Sequence, residues 1–193
     1  MSNFNIINIQ DLLMELGEEN LFVLLETFSS PKNSEIEVFI HNRALDFVRR
    51  KLAITYLVLD SVGNFAAYFT LANKALEFPA ANMSQSTKKK IERYSKYNEK
   101  SGTYIVPAFL LAQFGKNAFY SSSEKLSGNQ LMDFVLEVVA NIQYMIGGGV
   151  LYLECEDNPF LLGFYQNSHN CFRPFGERKS DSNTLYKLFY KFI

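Results

Sequence analysis

The spacing of apolar residues predicts helices in the first part of the chain. Up to Phe28 the apolar positions recur every three to four residues, which is the period of an amphipathic helix, and Gly17 divides this stretch in two. A second helix is predicted from an N-cap at Ser34 to Arg49–Lys51, whose positive charge suits the C-terminal end of a helix dipole. We therefore expect residues 1–50 to be helical.

Runs of apolar and β-branched residues then predict a sheet. The runs Ala53–Leu59 and Phe65–Ala72 flank the turn-forming segment Asp60–Asn64, so they are expected to pair as an antiparallel hairpin. Four further strands are predicted, at Thr103–Phe114, Val150–Cys155, Cys171–Phe175 and Thr184–Phe192.

A long amphipathic helix is predicted from Ser127 to Ile146, where Gly147–Gly149 ends it. Because this helix connects the strands on either side of it, those two strands should be parallel and joined by a right-handed crossover. A last helix is predicted at Asn158–Gln166. The pattern predicts one α/β (α+β) domain over residues 1–193, with a mixed central sheet and helices on both faces.

Composition favours a globular protein with no strong overall charge. The chain has 193 residues, 48% of them hydrophobic, and a formal net charge of −1, which by itself favours neither a nucleic-acid binder nor a membrane-surface protein. No apolar run reaches the roughly 20 residues that a membrane span requires. Cys155 and Cys171 form neither a disulfide framework nor a zinc pattern. We expect a cytoplasmic protein without a metal.

The charges are unevenly distributed along the chain. In the first forty residues Lys32 is the only cation, and the acids are Asp11, Glu15, Glu18, Glu19, Glu26, Glu35 and Glu37. The remainder of the chain is therefore net basic, and an anionic ligand should bind there.

Residues 82–100 carry the densest positive charge. The cations in this segment are Lys88, Lys89, Lys90, Arg93, Lys96 and Lys100, and they outnumber Glu92 and Glu99. We predict a short, exposed basic helix. Two interpretations remain open, a solvated face and a contact for an anionic partner.

The start of the long helix has the pattern of an anion site. Ser127 with Gln130 three residues later is a capping box, which places a helix N-terminus directly after a loop. Backbone N–H groups and the positive end of the dipole attract anions there, Lys125 adds a charge, and Gly128 allows a phosphate to approach closely. An ordinary structural cap has the same pattern, so both interpretations stay open.

The last predicted helix places two polar side chains on one face. Asn158 lies near its N-cap, Pro159 is in its first position, and Tyr165 follows Asn158 by seven residues, or two turns. This helix begins at the carboxyl end of a predicted parallel strand, where clefts form in α/β sheets. Taken alone, Tyr165 also fits an aromatic residue of the core.

The segment Glu154–Tyr165 resembles the part of GNAT superfamily N-acyltransferases in which a strand ends in an acidic-Asn turn and a helix ends in Phe-Tyr. The strand, loop, helix and glycine stop before it are similar to the acetyl-CoA half of that fold, so this resemblance covers Thr103–Phe175. The stretch Ala53–Ala72 resembles the opening strands of GNAT toxins that acetylate aminoacyl-tRNA.

The resemblance implies a single-domain GNAT-like fold, in which a splayed parallel pair of strands forms the acyl-CoA cleft. It also implies an acetyl-CoA-dependent N-acetyltransferase acting on a primary amine, with Tyr165 as the general acid on the CoA thiolate. The residues that would bind the cofactor are Phe114, Gly115, Lys116, Lys125, Ser127, Gly128, Asn129, Gln130 and Asn158.

The acceptor is expected to be an amine that is easily deprotonated. Thr103–Gln113 contains no Asp or Glu that could act as a base, and His41 is the other conceivable base. An α-amino group with a pKa of about 7.7 to 8.0 fits better than a lysine side chain at about 10.4. The acceptor is then a small molecule or an aminoacyl-tRNA whose phosphates contact the basic helix. A homodimer is also expected, because dimers are the commonest assemblies of soluble proteins.

Departures from the family pattern support an alternative. Gln130 occupies the last small position of the pyrophosphate loop, Lys125 keeps only the charge of its first position, and Leu161 replaces a small residue. A catalytically inactive CoA-binding or protein-interaction module of the same fold is therefore the competing hypothesis. An RNA-binding protein without chemistry is a third, against which the near-neutral net charge argues.

Overall fold

The computed structural model describes residues 4–81 and 83–193, so Asn82 at the start of the predicted basic segment lies outside the described residues. Backbone contacts divide the chain into two compact units. The first unit comprises the chain up to Ala72 together with Leu111–Val135, and the second comprises Asn73–Leu110 and Leu136–Ile193.

Eight strands and six helices follow one another within the described residues. They are β1 (Asn5–Asn8), α1 (Ile9–Glu26), α2 (Ser34–Asn42), α3 (Ala44–Arg49), β2 (Ile54–Leu59), β3 (Phe65–Pro79), α4 (Gln85–Ile91), β4 (Tyr97–Asn98), β5 (Thr103–Lys116), α5 (Gly128–Ile146), β6 (Val150–Glu156), α6 (Pro159–Gln166), β7 (Arg173–Lys179) and β8 (Leu185–Phe192).

The strands form a mixed sheet in the order β1-β2-β3-β5-β6-β8-β7, with the short β4 paired to β5. The pairs β1-β2, β2-β3, β4-β5, β6-β8 and β7-β8 are antiparallel, and β5-β6 is parallel. The predicted fold class, a mixed sheet with antiparallel N-terminal strands and a later parallel pair, is confirmed.

The prediction that the chain is helical from its start is wrong for Asn5–Asn8. These residues form β1, whose register places Asn5 opposite Leu59 and Asn8 opposite Tyr56 of β2. Asn8 also ends the strand, since its side chain accepts a hydrogen bond of 2.9 Å from the N–H of Gln10 and caps α1. The predicted division at Gly17 is confirmed, because its φ of 75° and ψ of 168° break the helix.

The second predicted helix is divided into α2 and α3, and its N-cap lies one residue earlier than predicted. Its cap is Asn33, not Ser34, and the Asn33 side chain accepts hydrogen bonds from the N–H groups of Glu35 and Ile36. Arg43, at φ −122°, leaves helical geometry and separates α2 from α3. No glycine or proline marks this break. The change of direction lets both helices bury apolar residues in one core.

Two further predictions had the wrong length. The strand predicted to end at Ala72 continues to Pro79, because Leu76 and Phe78 are buried at alternate positions although polar residues lie between and before them. The basic helix predicted to reach Lys100 is the seven-residue α4, capped by Ser84, and the chain then turns into β4. The remaining strands and helices lie within a few residues of their predicted bounds.

Aromatic side chains fill the core of each unit. In the first unit the rings of Phe28 and Tyr68 meet edge to face at 4.9 Å, and the Tyr68 hydroxyl donates a 2.6 Å hydrogen bond to the carbonyl of Ile36. In the second unit the ring of Phe78 lies 5.2 Å from that of Tyr190. Phenylalanines and tyrosines therefore supply much of the core in both units.

One buried amide side chain joins three segments of the first unit. Asn117 follows β5 directly and is 8% exposed. Its Nδ2 donates to the carbonyl of Thr27 at 3.0 Å and to that of Phe65 at 2.9 Å. Its Oδ1 accepts from the N–H groups of Ser29 and Phe119, both at 2.9 Å. The amide thus ties the end of α1, the start of β3 and the loop after β5 together.

We expect Asn117→Ala to lower the free energy of unfolding by about 3 kcal/mol, because it leaves buried carbonyl and N–H groups without partners. Chemical denaturation followed by circular dichroism measures this change. Asn141→Ala, at an exposed position of α5, is the matched control and should be close to neutral. A loss below about 0.5 kcal/mol in Asn117→Ala would contradict the structural role of the amide.

Candidate active site

The predicted capping box at the start of α5 is confirmed in both directions. The N–H of Gln130 donates to Ser127 Oγ at 3.1 Å, and the N–H of Ser127 donates to Gln130 Oε1 at 3.0 Å. The side chain of Gln130, which departs from the family pattern, therefore fixes the start of α5. The positive end of the α5 dipole lies directly at Gly128 and Asn129.

The end of β5 and the loop before α5 are brought together by Lys116. Its Nζ donates a 3.1 Å hydrogen bond to the carbonyl of Leu126, one residue before the cap. Lys116 and Lys125 both line a pocket of about 360 Å³ in the first unit, which Tyr120 and Glu124 also line. Two cations beside a helix N-terminus form an arrangement that suits a phosphate group.

Phe114 and Gly115 lie in β5 immediately before Lys116. At Gly115 a β-carbon would come within 3.0 Å of Ile36 Cγ2 and 3.5 Å of the Phe28 ring. Packing against α2 and the end of α1 therefore accounts for this glycine, independently of any cofactor.

The second unit contains Asn158 and Tyr165 on α6. The Asn158 side chain accepts a 2.9 Å hydrogen bond from the N–H of Phe160, and Pro159 takes the first helical position, as predicted. Asn158 itself is exposed, whereas Tyr165 is 7% exposed. The helix thus starts at the surface and carries the tyrosine into the interior of the unit.

Aromatic rings surround Tyr165. The rings of Phe164, Phe172 and Phe189 lie 5.1, 5.9 and 6.2 Å from the Tyr165 ring. Burial raises the pKa of Tyr165 well above its ordinary value, and the Cys155 thiol adds to the effect. The hydroxyl therefore stays in its neutral form across the physiological pH range.

The loop after α6 holds the backbone of Tyr165. This contact was not predicted from the sequence. Asn170 is fully buried, and its Nδ2 donates to the carbonyl of Phe164 at 2.8 Å. Lys191 Nζ donates to the carbonyl of Asn170 at 2.6 Å, and the N–H of Phe172 donates to the carbonyl of Tyr165 at 2.9 Å. An asparagine shortly after a helix is the signal that could have indicated this C-terminal clamp.

Two other candidate groups have structural partners. His41 Nε2 lies 3.0 Å from the carbonyl of Phe28, so the imidazole is held by the backbone. Cys155 is buried in β6, and burial, aided by Asp157 and Glu156, raises its thiol pKa to about 11. Among the residues that the structure describes, no three His, Cys, Asp or Glu side chains come together as a metal site.

The predicted site residues fall into two groups. Phe114, Gly115, Lys116, Lys125 and Ser127–Gln130 belong to the first unit, whereas Asn158 and Tyr165 belong to the second. Their roles in binding and catalysis stay predictions at this point.

Over residues 4–81 and 83–193, no helix combines the length and the apolarity that crossing a bilayer takes.

The sequence matches no protein-family model and no curated protein. The structure, however, is similar to solved structures. AtaT complexed with acetyl-methionyl-tRNAfMet is 18% identical, with 95% of this chain and 93% of that chain covered and a TM-score of 0.65. A tyrosine-to-phenylalanine variant of KacT is 16% identical, with 99% and 95% covered and a TM-score of 0.65.

A third neighbour is a tyrosine-to-phenylalanine variant of the AtaT toxin bound to the C-terminus of the antitoxin AtaR and acetyl-CoA. It is 13% identical, with 99% of this chain and 94% of that chain covered and a TM-score of 0.60. At these identities the likeness shows the fold. The GNAT fold that the sequence resemblance implied is thereby confirmed.

The two cysteines should differ sharply in reactivity. Cys155 is buried with a thiol pKa of about 11, whereas Cys171 is exposed. At pH 7.5 about one Cys155 thiol in three thousand would be ionised, and the thiolate is the reactive form. We expect iodoacetamide to modify Cys171 at least roughly tenfold faster than Cys155, as measured by peptide mass spectrometry. Equal rates would show that Cys155 lies in an open cleft.

Proposed function

We propose that this protein is an acetyl-CoA-dependent N-acetyltransferase that transfers an acetyl group to a primary amine, with Tyr165 as general acid. The observation that carries the proposal is a buried tyrosine hydroxyl, held neutral by its surroundings, on the helix that follows the parallel strand β6 of a GNAT fold. A cytoplasmic location fits this activity, since acetyl-CoA is a cytoplasmic metabolite.

The proposed cofactor site is supported by charge and by helix geometry. Lys116 and Lys125 line one pocket, and the capped N-terminus of α5 follows at Ser127–Gln130. A pyrophosphate would accept hydrogen bonds from backbone N–H groups there and be stabilised by both ammonium groups. The AtaT structure with acetyl-CoA supports the choice of this anion.

The proposed reaction is a direct transfer. The acceptor nitrogen attacks the thioester carbonyl carbon, and a backbone N–H of β5 donates to the oxyanion that forms. When the carbon–sulfur bond breaks, the electron pair stays on sulfur and the Tyr165 O–H donates its proton to that thiolate. The tyrosinate then recovers a proton, directly or through water, from the acetylated nitrogen, so protons balance over the cycle.

The acceptor that fits best is an α-amine, such as that of an aminoacyl-tRNA. The part of β5 from Thr103 to Gln113 supplies no carboxylate, and His41 is engaged with the Phe28 carbonyl. Without a strong base the acceptor must deprotonate readily, and an α-amino pKa of about 7.7 to 8.0 meets that need. AtaT with acetyl-methionyl-tRNAfMet carries such an acetylated amine.

A protein partner is an additional expectation, which the sequence analysis did not make. AtaT is bound to the C-terminus of its antitoxin AtaR in one neighbouring structure and to AtaR and DNA in another. An inhibitory partner of this kind would be consistent with a toxin-like acetyltransferase.

The competing hypothesis, an inactive CoA-binding or protein-interaction module, now has less support. It was motivated by Gln130 and Leu161, and the Gln130 side chain has a structural role in the capping box. A non-catalytic module would bind acetyl-CoA and would not release CoA when an amine is added. Amine-dependent thioester cleavage therefore distinguishes the two hypotheses.

Calorimetric titration with acetyl-CoA tests the cofactor site. We expect the wild-type protein to bind, and Gly128→Trp to weaken binding by at least roughly 100-fold, because an indole at the first turn of α5 would occupy the space of the phosphates. Gly176→Trp is the matched control, since a β-carbon at Gly176 meets no atom within 4 Å, and it should bind normally. Absence of wild-type binding would contradict the proposal.

Tyr165→Phe tests the chemistry. Removing the proton donor should lower kcat by roughly 10²- to 10⁴-fold while acetyl-CoA affinity changes little. Tyr190→Phe, which changes a buried tyrosine of the same unit, is the control and should retain kcat. Full turnover in Tyr165→Phe would remove this residue from the mechanism.

The pH profile of the same proteins gives an independent readout. Because the pKa of Tyr165 is raised, its acidic form persists through the alkaline range. With an α-amine acceptor the wild-type kcat/KM should therefore rise through about pH 8 and stay level to about pH 10. A decline above about pH 8.5 that is missing in Tyr165→Phe would mean that the hydroxyl ionises there, against expectation.

A further inference from the structure

A pocket in the second unit presents an aromatic ring beside a cation. It measures about 420 Å³ and is lined by Ala80, Ala81, Lys88, Tyr97, Gly102 and Tyr104. Tyr97 is 48% exposed, although it is a large aromatic residue. A half-exposed ring at the wall of a pocket offers a flat surface on which another planar group can stack.

The Tyr97 ring packs against the buried ring of Tyr104. Tyr104, its direct partner in the β4-β5 register, is 4% exposed, and the two ring centroids lie 5.3 Å apart. The Tyr104 hydroxyl donates a 3.1 Å hydrogen bond to Glu92 of the α4 end. The tyrosine pair is therefore a supported platform rather than a loose surface side chain.

The backbone around the pocket is also ordered by hydrogen bonds. Asn98 Oδ1 accepts from the N–H groups of Lys100 and Ser101, and its carbonyl accepts from Gly102. Gly102 takes φ +70°, which favours glycine, and its carbonyl accepts from the N–H of Ala80 at 3.0 Å. The pocket does not have to be organised by a ligand.

Lys88 brings a positive charge to the tyrosine platform. Lys88 lines the pocket and is half-buried, and none of the cations on residues 83–100 forms an ion pair within the part of the chain that the structure describes. Lys90 lies 5.3 Å from the Phe192 ring instead. The six cations of residues 83–100 outnumber Glu92 and Glu99, so this segment carries a net positive charge.

We propose that this pocket binds an unpaired nucleotide of a single-stranded nucleic acid, with the base stacked on Tyr97 and the adjoining phosphate at Lys88. Single-stranded nucleic acids are bound by aromatic platforms inside basic surfaces, because every base has a flat π-face and every linkage a negative charge. An acidic peptide would satisfy the lysines and leave the exposed ring without a partner. This binding activity goes beyond acetyl transfer and does not depend on it.

One consequence does rest on the proposed function. If the acceptor amine is carried by an aminoacyl-tRNA, the Tyr97 pocket is a contact for unpaired nucleotides of that tRNA. The pocket then adds affinity for the carrier, whereas the residues of the acetyl-CoA site act on the amine.

Fluorescence anisotropy tests the proposal with two labelled probes, a short oligocytidine of RNA and the same oligomer of DNA. Each probe is titrated over a range of salt concentrations. Tyr97→Ala should weaken binding by about 5- to 150-fold, the effect of removing one stacked base, and Tyr97→Phe should keep wild-type affinity. Lys88→Gln should weaken binding and reduce the slope of log affinity against log salt by about 0.7, the value for one phosphate of a single strand.

Matched controls come from the other end of β8. Lys90 contacts the ring of Phe192, the last residue of β8, whereas Tyr186 lies near the beginning of β8. Tyr186 is opposite Arg178 of β7, and the next residue of β7, Lys179, is opposite Leu185. Tyr186→Ala and Lys179→Gln should bind both probes as the wild type does. Equal losses in these controls, or wild-type affinity in Tyr97→Ala, would overturn the proposal, as would failure to bind either probe.

Acetyl-CoA titration of Tyr97→Ala separates this inference from the proposed function. The variant should bind acetyl-CoA with wild-type affinity and acetylate a small amine at the wild-type rate. If the wild-type protein fails to bind acetyl-CoA but binds a probe in a manner that depends on Tyr97, the pocket stands and the acetyltransferase proposal falls. Tyr97-dependent binding of either probe, or of both, supports the pocket, and the difference in affinity between the two probes shows whether it prefers RNA or DNA.

Discussion

The parallel pairing of β5 with β6 is the constraint on which the candidate site depends. Parallel neighbours cannot be joined by a tight turn, so the chain must pass through a crossover, and α5 provides it. Both strands then end at the same edge of the sheet, and the segments that follow them carry Lys116, Ser127 and Tyr165. The residues predicted to bind a phosphate and to donate a proton thus follow these two strands, although they come from distant parts of the chain.

Burial gives Tyr165 its chemical character. A tyrosine at the surface would keep an ordinary pKa and could lose its proton in alkaline solution, whereas the rings around Tyr165 disfavour the charged form. The same low-polarity surroundings raise the thiol pKa of Cys155, so one environment keeps a proton on both groups. The hydrogen bonds from Asn170 Nδ2 to the carbonyl of Phe164 and from the N–H of Phe172 to the carbonyl of Tyr165 hold the backbone at this end of α6.

Features of the site that are encoded locally could be predicted from the sequence, and features set by tertiary contacts could not. The capping box at Ser127 and the cap at Asn158 depend on neighbours within three residues, so their patterns were sufficient. Strand β1 is defined by pairing with β2, which lies some fifty residues away, and the amide of Asn117 joins segments that are distant in sequence. The role of Gly149 was hidden similarly, because its missing side chain makes room for the ring of Tyr94.

Net charge is a poor guide to this protein because its charges are segregated. The net charge of −6 on the first forty residues nearly cancels the net charge of +5 on the rest, which gives the sum of −1. Attraction at a surface depends instead on the charges within about a Debye length, roughly 8 Å at physiological salt. The near-neutral total therefore does not weigh against a nucleic-acid contact at the pocket that Lys88 and the half-exposed ring of Tyr97 line.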